Sequence, residues 1–199
     1  MKWILKTAIL RLHTSKPGIR VLGVAESFEP KGDRYSTVCG VVMRKDGFII
    51  DGIGFVRTKV GGNDATRKLL QMYNAFRRQD INVIMLSGAI ISHYNIVDVD
   101  RLSKSTGRPV ICLTYRDSTG IEQSIRSRFG KRAVVKLAAY KRLGRRVKLV
   151  LSTGKSVFVR CSNIQVDDAS SLMESFLIQG RYPEPVRVAS LAAAAARHL

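Results

Sequence analysis

The sequence predicts an α/β fold built on a mixed sheet. An antiparallel meander is followed by a parallel strand–helix–strand unit, flanked by helices, with a C-terminal β-hairpin and helices. Three observations predict it. Within residues 19–60, three apolar runs alternate with short turn-forming clusters. Two short, continuously apolar runs, residues 81–88 and 109–115, bracket a helical stretch, the pattern of strands buried on both faces. Past residue 146, two strand-like runs flank Ser152-Thr153-Gly154, a hairpin signature.

Taken in order, IRVLGVAESF (19–28) reads as a buried strand ending in polar residues, and Pro30 and Gly32 turn the chain. STVCGVVMR (36–44) is a second strand. Lys45-Asp46-Gly47 makes a tight turn into a third, FIIDGIGFVRTKV (48–60), antiparallel to it. Gly61-Gly62 breaks the run, and Asn63 or Asp64 is placed to cap a helix carrying Leu69, Leu70, Met72, Tyr73 and Phe76 at helical spacing. A helix around Asp98–Lys104 joins the buried strands, which makes a crossover. Residues 119–142 read as helical, the hairpin follows, and Asp167 or Asp168 caps a helix through Ile178. Gly180 and Pro183 then punctuate the chain before an Ala-rich final helix. This is the element order of a ribonuclease H-like mixed sheet. With no internal repeat and no long linker, one domain is expected.

The 199 residues hold 34 Lys and Arg against 15 Asp and Glu, a formal charge of +19. At 45% apolar residues the chain is too hydrophobic for a disordered basic tail. No run approaches the roughly 20 apolar residues of a membrane span, which argues against an integral membrane protein. The opening MKWILKTAIL has the apolar look of a signal peptide. Lys6 and Arg11 interrupt it and no small-residue cleavage site follows, so a cytoplasmic location is expected. Cys39, Cys112 and Cys161 are far apart in apolar stretches, without zinc or redox spacing, and are expected to be buried free thiols.

The charge is local. Residues 101–160 carry 16 basic and 2 acidic side chains, so 14 of the 19 excess charges sit there. Residues 126–148 hold Arg126, Arg128, Lys131, Arg132, Lys136, Lys141, Arg142, Arg145, Arg146 and Lys148 without one acid. Val134, Leu137 and Ala138 at i, i+3, i+4 predict the docking face of a helix, while Arg128, Arg132 and Lys136 repeat every four residues along another face. Like charges at that spacing cost about 0.2–0.5 kcal/mol per pair, which a polyanion would offset. DNA or RNA is therefore the expected partner, bound through these residues and the nearby Arg116.

In this kind of fold, phosphodiester hydrolysis needs two or three carboxylates at neighbouring strand ends to hold magnesium or manganese. The first strand ends in Ala25-Glu26-Ser27 and offers Glu26; the central strand ends in Ser87-Gly88 and offers no acid. Asp51, Asp64 and Asp98 are the remaining nearby acids, Asp64 and Asp98 also being placed as helix caps. There is no phosphate-binding glycine motif. Ser87, Gly88 and His93 imitate a nucleophile elbow without its flanking glycines.

The residues RVLGVAESF (20–28), CGVVMR (39–44), GGNDAT (61–66), VIMLSGAIISHYNIVDVD (83–100), TGRPVICLTYR (106–116) and PEPVRVASL (183–191) resemble an archaeal family known as domain of unknown function 99, relatives of endonuclease V. The Pro-Glu-Pro-x-Arg-x-Ala segment is the most specific, since composition suggests no structural cause for it. The resemblance implies one endonuclease V-like domain over residues 19–199, with residues 1–18 an N-terminal extension outside it. It also implies metal-dependent cleavage of DNA or RNA near altered bases.

The departures bear on that activity. Where the family has two adjacent aspartates at the first strand end, this chain has Ala25 and Glu26; where it has Asp-Gly at the central strand end, this chain has Ser87-Gly88. The first Asp of its Asp-Gly-x-Asp-Ala-Thr motif is Gly61 here, while Asp64, Ala65 and Thr66 match, as do Asn95 and Asp98; His93 replaces a small residue. Lys45 stands where endonuclease V has a glutamate. The expectation is a divergent scaffold that binds nucleic acid, with Ser87, Gly88, His93 and Asn95 lining its pocket. The alternatives are an active nuclease rebuilt around Glu26, Asp64 and Asp98 with Mg or Mn, and a structural subunit of a ribonucleoprotein or repair assembly.

Overall fold

A computed structural model describes residues 16–197. The N-terminal extension therefore lies almost entirely outside the described residues. The meander consists of β1 (Arg20–Ser27), β2 (Tyr35–Arg44) and β3 (Ile50–Lys59), followed by α1 (Ala65–Ala75). Next come β4 (Val83–Leu86), the two-residue strands β5 (Ile90–Ile91) and β6 (Asn95–Ile96), α2 (Val99–Thr106) and β7 (Val110–Thr114). The chain continues through α3 (Glu122–Phe129), α4 (Ala133–Arg142), β8 (Val147–Val150), β9 (Ser156–Ser162), α5 (Val166–Ser175) and α6 (Glu184–Ala196).

Seven strands form one sheet in the order β3-β2-β1-β4-β7-β9-β8, and β5 pairs with β6 as a small separate ribbon. The meander is antiparallel, β1, β4 and β7 run parallel, and the β8–β9 hairpin adds to the far edge through β9, antiparallel to β7.

Strand alternation sorts the core into two layers. Val21, Cys39, Met85 and Ile111 face α5 and α6, whereas Leu22, Val42, Ile84 and Cys112 face α1 and α2. The Pro183-Glu184-Pro185 segment has a structural cause after all. Pro183 caps α6, the Glu184 carboxylate is buried and paired with Arg187 at 2.7 Å, and the Pro185 backbone packs on Gly23 of β1. A Cβ at Gly23 would lie 2.2 Å from the Pro185 carbonyl carbon, so only glycine fits there.

Two local expectations are corrected. Residues 119–142 are not one helix: Gly130, with φ 51° and ψ −124°, breaks them into α3 and α4 around a 3₁₀ turn. On α4 the buried face is Ala133, Lys136 and Leu137, while Val134 is 70% exposed and Ala138 is also exposed. The three thiols are free, and burial raises all of them, Cys39 to about 12 and Cys161 to about 11. Among the described residues no helix is long and apolar enough to cross a membrane.

Candidate functional site

The carboxyl ends of β1, β4 and β7 lie side by side, where ligands of open α/β sheets bind. At the β1 end, Glu26 accepts from three donors. The Ser92 amide donates to both carboxylate oxygens at 2.7 Å, and the Ser92 and Ser36 hydroxyls donate to Oε2 at 2.8 and 2.6 Å. Ser92 also meets the Thr58 hydroxyl.

Ser92, His93 and Tyr94, the turn between β5 and β6, have φ of 45°, 58° and 69°. Three consecutive left-handed residues cost about 1–2 kcal/mol each. Fixed partners hold them there. Besides Glu26, Gly61 donates its amide to the Ser92 carbonyl at 2.6 Å, and Lys136 Nζ donates to the Tyr94 carbonyl at 2.9 Å. Charge-assisted bonds worth about 1.5–3 kcal/mol apiece are enough to offset the backbone cost.

Lys136 is the larger correction. Its side chain is 4% exposed, its other two Nζ bonds go to the Gly62 carbonyl (2.7 Å) and Asn63 Oδ1 (2.9 Å), and it lies 4.7 Å from the Phe129 ring centre. Burial lowers its pKa. It is an internal clamp rather than a phosphate contact.

The other predicted site residues are distributed as follows. Asp64 sits at the α1 N-cap position, but its carboxylate makes no cap bond. It accepts instead from Asn95 Nδ2 at 2.7 Å and from the Lys59 amide. Asn95 is buried and also accepts from the Ala65 amide. Asp98 does cap α2, accepting from the Arg101 amide at 3.0 Å. His93 touches Phe28 and Tyr94 edge-on, and burial, then the Arg128 charge, lowers its pKa.

Glu26, Asp64 and Asp98 are thus held by three separate sets of partners. No group of three or more His, Cys, Asp or Glu that could hold a metal occurs among the described residues. A magnesium ion requires oxygen ligands anchored by carboxylates. With Ser87 at the β4 end, Glu26 is the one carboxylate that the described residues place at the ends of β1 and β4, and a single carboxylate does not fit the ion's need there.

A cavity of about 400 Å³ opens at the ends of β4 and β7. Ser87 and Gly88 line it; His93 and Asn95 do not. Its character comes from Arg116, Arg146, Arg160 and Arg181 together with Tyr115, Tyr140 and Tyr182, and no acid lines it. Arg160 and Arg181 were not anticipated from sequence. The one available signal was a charge in the otherwise apolar run VFVRC of β9.

Along the α3–α4 segment and into β8, Arg126, Arg128, Lys131, Arg132, Lys141, Arg142, Arg145 and Lys148 are exposed, as are Val134 and Val135. Arg146 is not a free surface cation. It braces the 114–118 loop through the Arg116 and Ser118 carbonyls at 2.9 and 3.0 Å.

The strand order and the two helical layers define a ribonuclease H-like α/β fold, the fold also seen in endonuclease V. Endonuclease V from Ciona intestinalis, solved with a 24mer DNA containing an inosine followed by a ribo-adenosine, shares this fold at a TM-score of 0.62. Its identity is 14%, with 91% of this chain and 86% of that one covered. More specifically, the chain belongs to the endonuclease dU family, whose model matches residues 17–197. A UPF0215 protein of Pyrobaculum aerophilum is 34% identical over 177 residues, 88% of this chain and 93% of its own. A protein of unknown function from Archaeoglobus fulgidus superposes at a TM-score of 0.77 with 27% identity, covering 89% of this chain and 98% of that one. The resemblance to archaeal relatives of endonuclease V is borne out.

Proposed function

We propose that this protein binds DNA or RNA through an endonuclease-like scaffold that has given up metal-assisted hydrolysis. The observation that carries the reading is the state of Glu26. It is the one carboxylate among the described residues at the ends of β1 and β4, and three donors of Ser36 and Ser92 hold it in place. The ends of β4 and β7 open an arginine-lined cavity, and the acid-free run 126–148 exposes eight cations. Such a surface neutralises phosphates and releases counterions without reading sequence.

A salt series tests the reading. On duplex DNA the logarithm of the affinity should fall linearly with the logarithm of salt, with a slope of about −0.9 per phosphate neutralised. Replacing Arg128, Lys131 and Arg132 together with glutamine should lower the slope and weaken binding equally on unrelated sequences. A flat salt response, or no binding at low salt, contradicts the reading.

The family's name favours a second reading, an active nuclease acting at deoxyuridine. Glu26 would then ligate magnesium or manganese, with its serine partners orienting the carboxylate. Nicking that is metal-dependent and abolished in Glu26→Gln would support it.

A further inference from the structure

The cavity at the ends of β4 and β7 carries more positive charge than an internal phosphodiester needs. Four guanidinium groups approach it from distant segments: Arg116 after β7, Arg146 before β8, Arg160 on β9 and Arg181 ahead of α6. The nearest carboxylate partner is Asp117, outside the lining and largely exposed, which meets Arg146 at 3.4 Å.

The four divide into braces and free forks. Arg146 spends its donors on Thr114, Arg116, Asp117 and Ser118 and lies over the Phe158 ring at 4.8 Å, which fixes the loop. Arg181 donates one bond to the Tyr115 carbonyl at 2.8 Å and stacks 5.6 and 5.5 Å from the Tyr115 and Tyr182 rings. Arg160 uses Nε on the Gly144 carbonyl and has no carboxylate partner. Arg116 is exposed and makes no side-chain hydrogen bond or ion pair among the described residues.

We infer that this cavity is a receptor for a phosphate monoester, the dianionic terminal phosphate of a nucleic-acid strand or of a free mononucleotide. A diester inside a strand carries one negative charge, whereas a monoester carries close to two at neutral pH. The guanidinium fork is the side chain best shaped to grip such an oxyanion with paired bonds. Burial disfavours the charge of the half-buried Arg160 and Arg146 repels it; the Tyr140 hydroxyl and the Cys112 thiol offset this only in part and no carboxylate pairs with it, so an anion relieves a cost that the free protein carries. Tyr182, an exposed ring on the cavity lining, is the aromatic side chain on which a terminal base would stack. The available volume suits one nucleotide rather than a strand passing through.

The inference rests on the nucleic-acid reading but can fail separately from it. Fluorescence anisotropy at one ionic strength would compare a single-stranded oligonucleotide bearing a 5′-phosphate, a 3′-phosphate or hydroxyls at both ends. A nucleoside 5′-monophosphate and inorganic phosphate would serve as competitors. One phosphorylated form should bind about tenfold tighter or better than the hydroxyl form. Arg160→Gln and Arg181→Gln, each checked for folding by thermal unfolding, should bring that ratio close to one. Competition by the mononucleotide at concentrations far below those needed for inorganic phosphate would assign the site to free nucleotides as well as strand ends. Competition by neither would assign it to strand ends alone. Equal affinity for all three oligonucleotides, or a ratio that survives both substitutions, overturns the inference while leaving general binding intact. No binding of any oligonucleotide overturns both.

Discussion

Lys136 Nζ sits 2.9 Å from the carbonyl oxygen of Tyr94, the last of three successive left-handed residues. A cation from the most basic segment of the chain is thereby turned inward to hold the turn whose other end bonds Glu26. Replacing it with alanine leaves three acceptors without their donor, and folding stability should fall by about 2–4 kcal/mol in denaturant titration. Arg132→Ala, four residues earlier and exposed, should change it by no more than about 0.5 kcal/mol.

Glu26→Gln tests whether the β1-end carboxylate is structural. Glutamine keeps one acceptor oxygen but turns an NH₂ group toward donors from Ser36 and Ser92, a mismatch worth about 1–3 kcal/mol. Equilibrium unfolding should register that loss in the absence of metal. An unchanged midpoint would mean that the carboxylate is not needed to hold the turn.

Gly23→Ala should destabilise by about 1–3 kcal/mol or more, because its Cβ would enter the Pro185 backbone and push α6 off β1. Hydrogen exchange should rise first in the initial turn of α6.

His93 should titrate below its ordinary 6.5, held down by burial and then by Arg128. The sign follows from linkage. With the folded value lowered, the unfolded chain takes up the proton first, so stability is lost as pH falls below 6.5 through the folded value. Two-dimensional NMR would read the titration directly. Arg128→Gln should move it upward, and bound polyanion should do the same.

Much of the fold was legible because both patterns it uses are local. Continuous apolar runs marked β4 and β7, and the Gly-Pro punctuation marked the meander. The α4 face was read one residue off for a physical reason. A lysine's four-carbon stem can lie along apolar surface with its charge satisfied by carbonyls, so Lys136 occupies a core position while Val134 faces solvent. Asp64 stood where a cap belongs, but Asn95, thirty-one residues away, offers its carboxylate a better donor. The cavity was largely illegible. Arg116, Arg146, Arg160 and Arg181 come from separate elements that only the addition of β9 beside β7 brings together. The structural cause of Pro183-Glu184-Pro185 was illegible because the Gly23 groove that receives it lies at the opposite end of the sequence.

The most direct test of binding without cutting is a single-turnover cleavage assay. Hypoxanthine- and uracil-containing oligonucleotides would be saturated with protein in magnesium or manganese, with occupancy measured in the same tubes. Full occupancy with no nicking above the chelator control is the predicted result. Metal-dependent nicking beside the altered base, lost in Glu26→Gln, would contradict it.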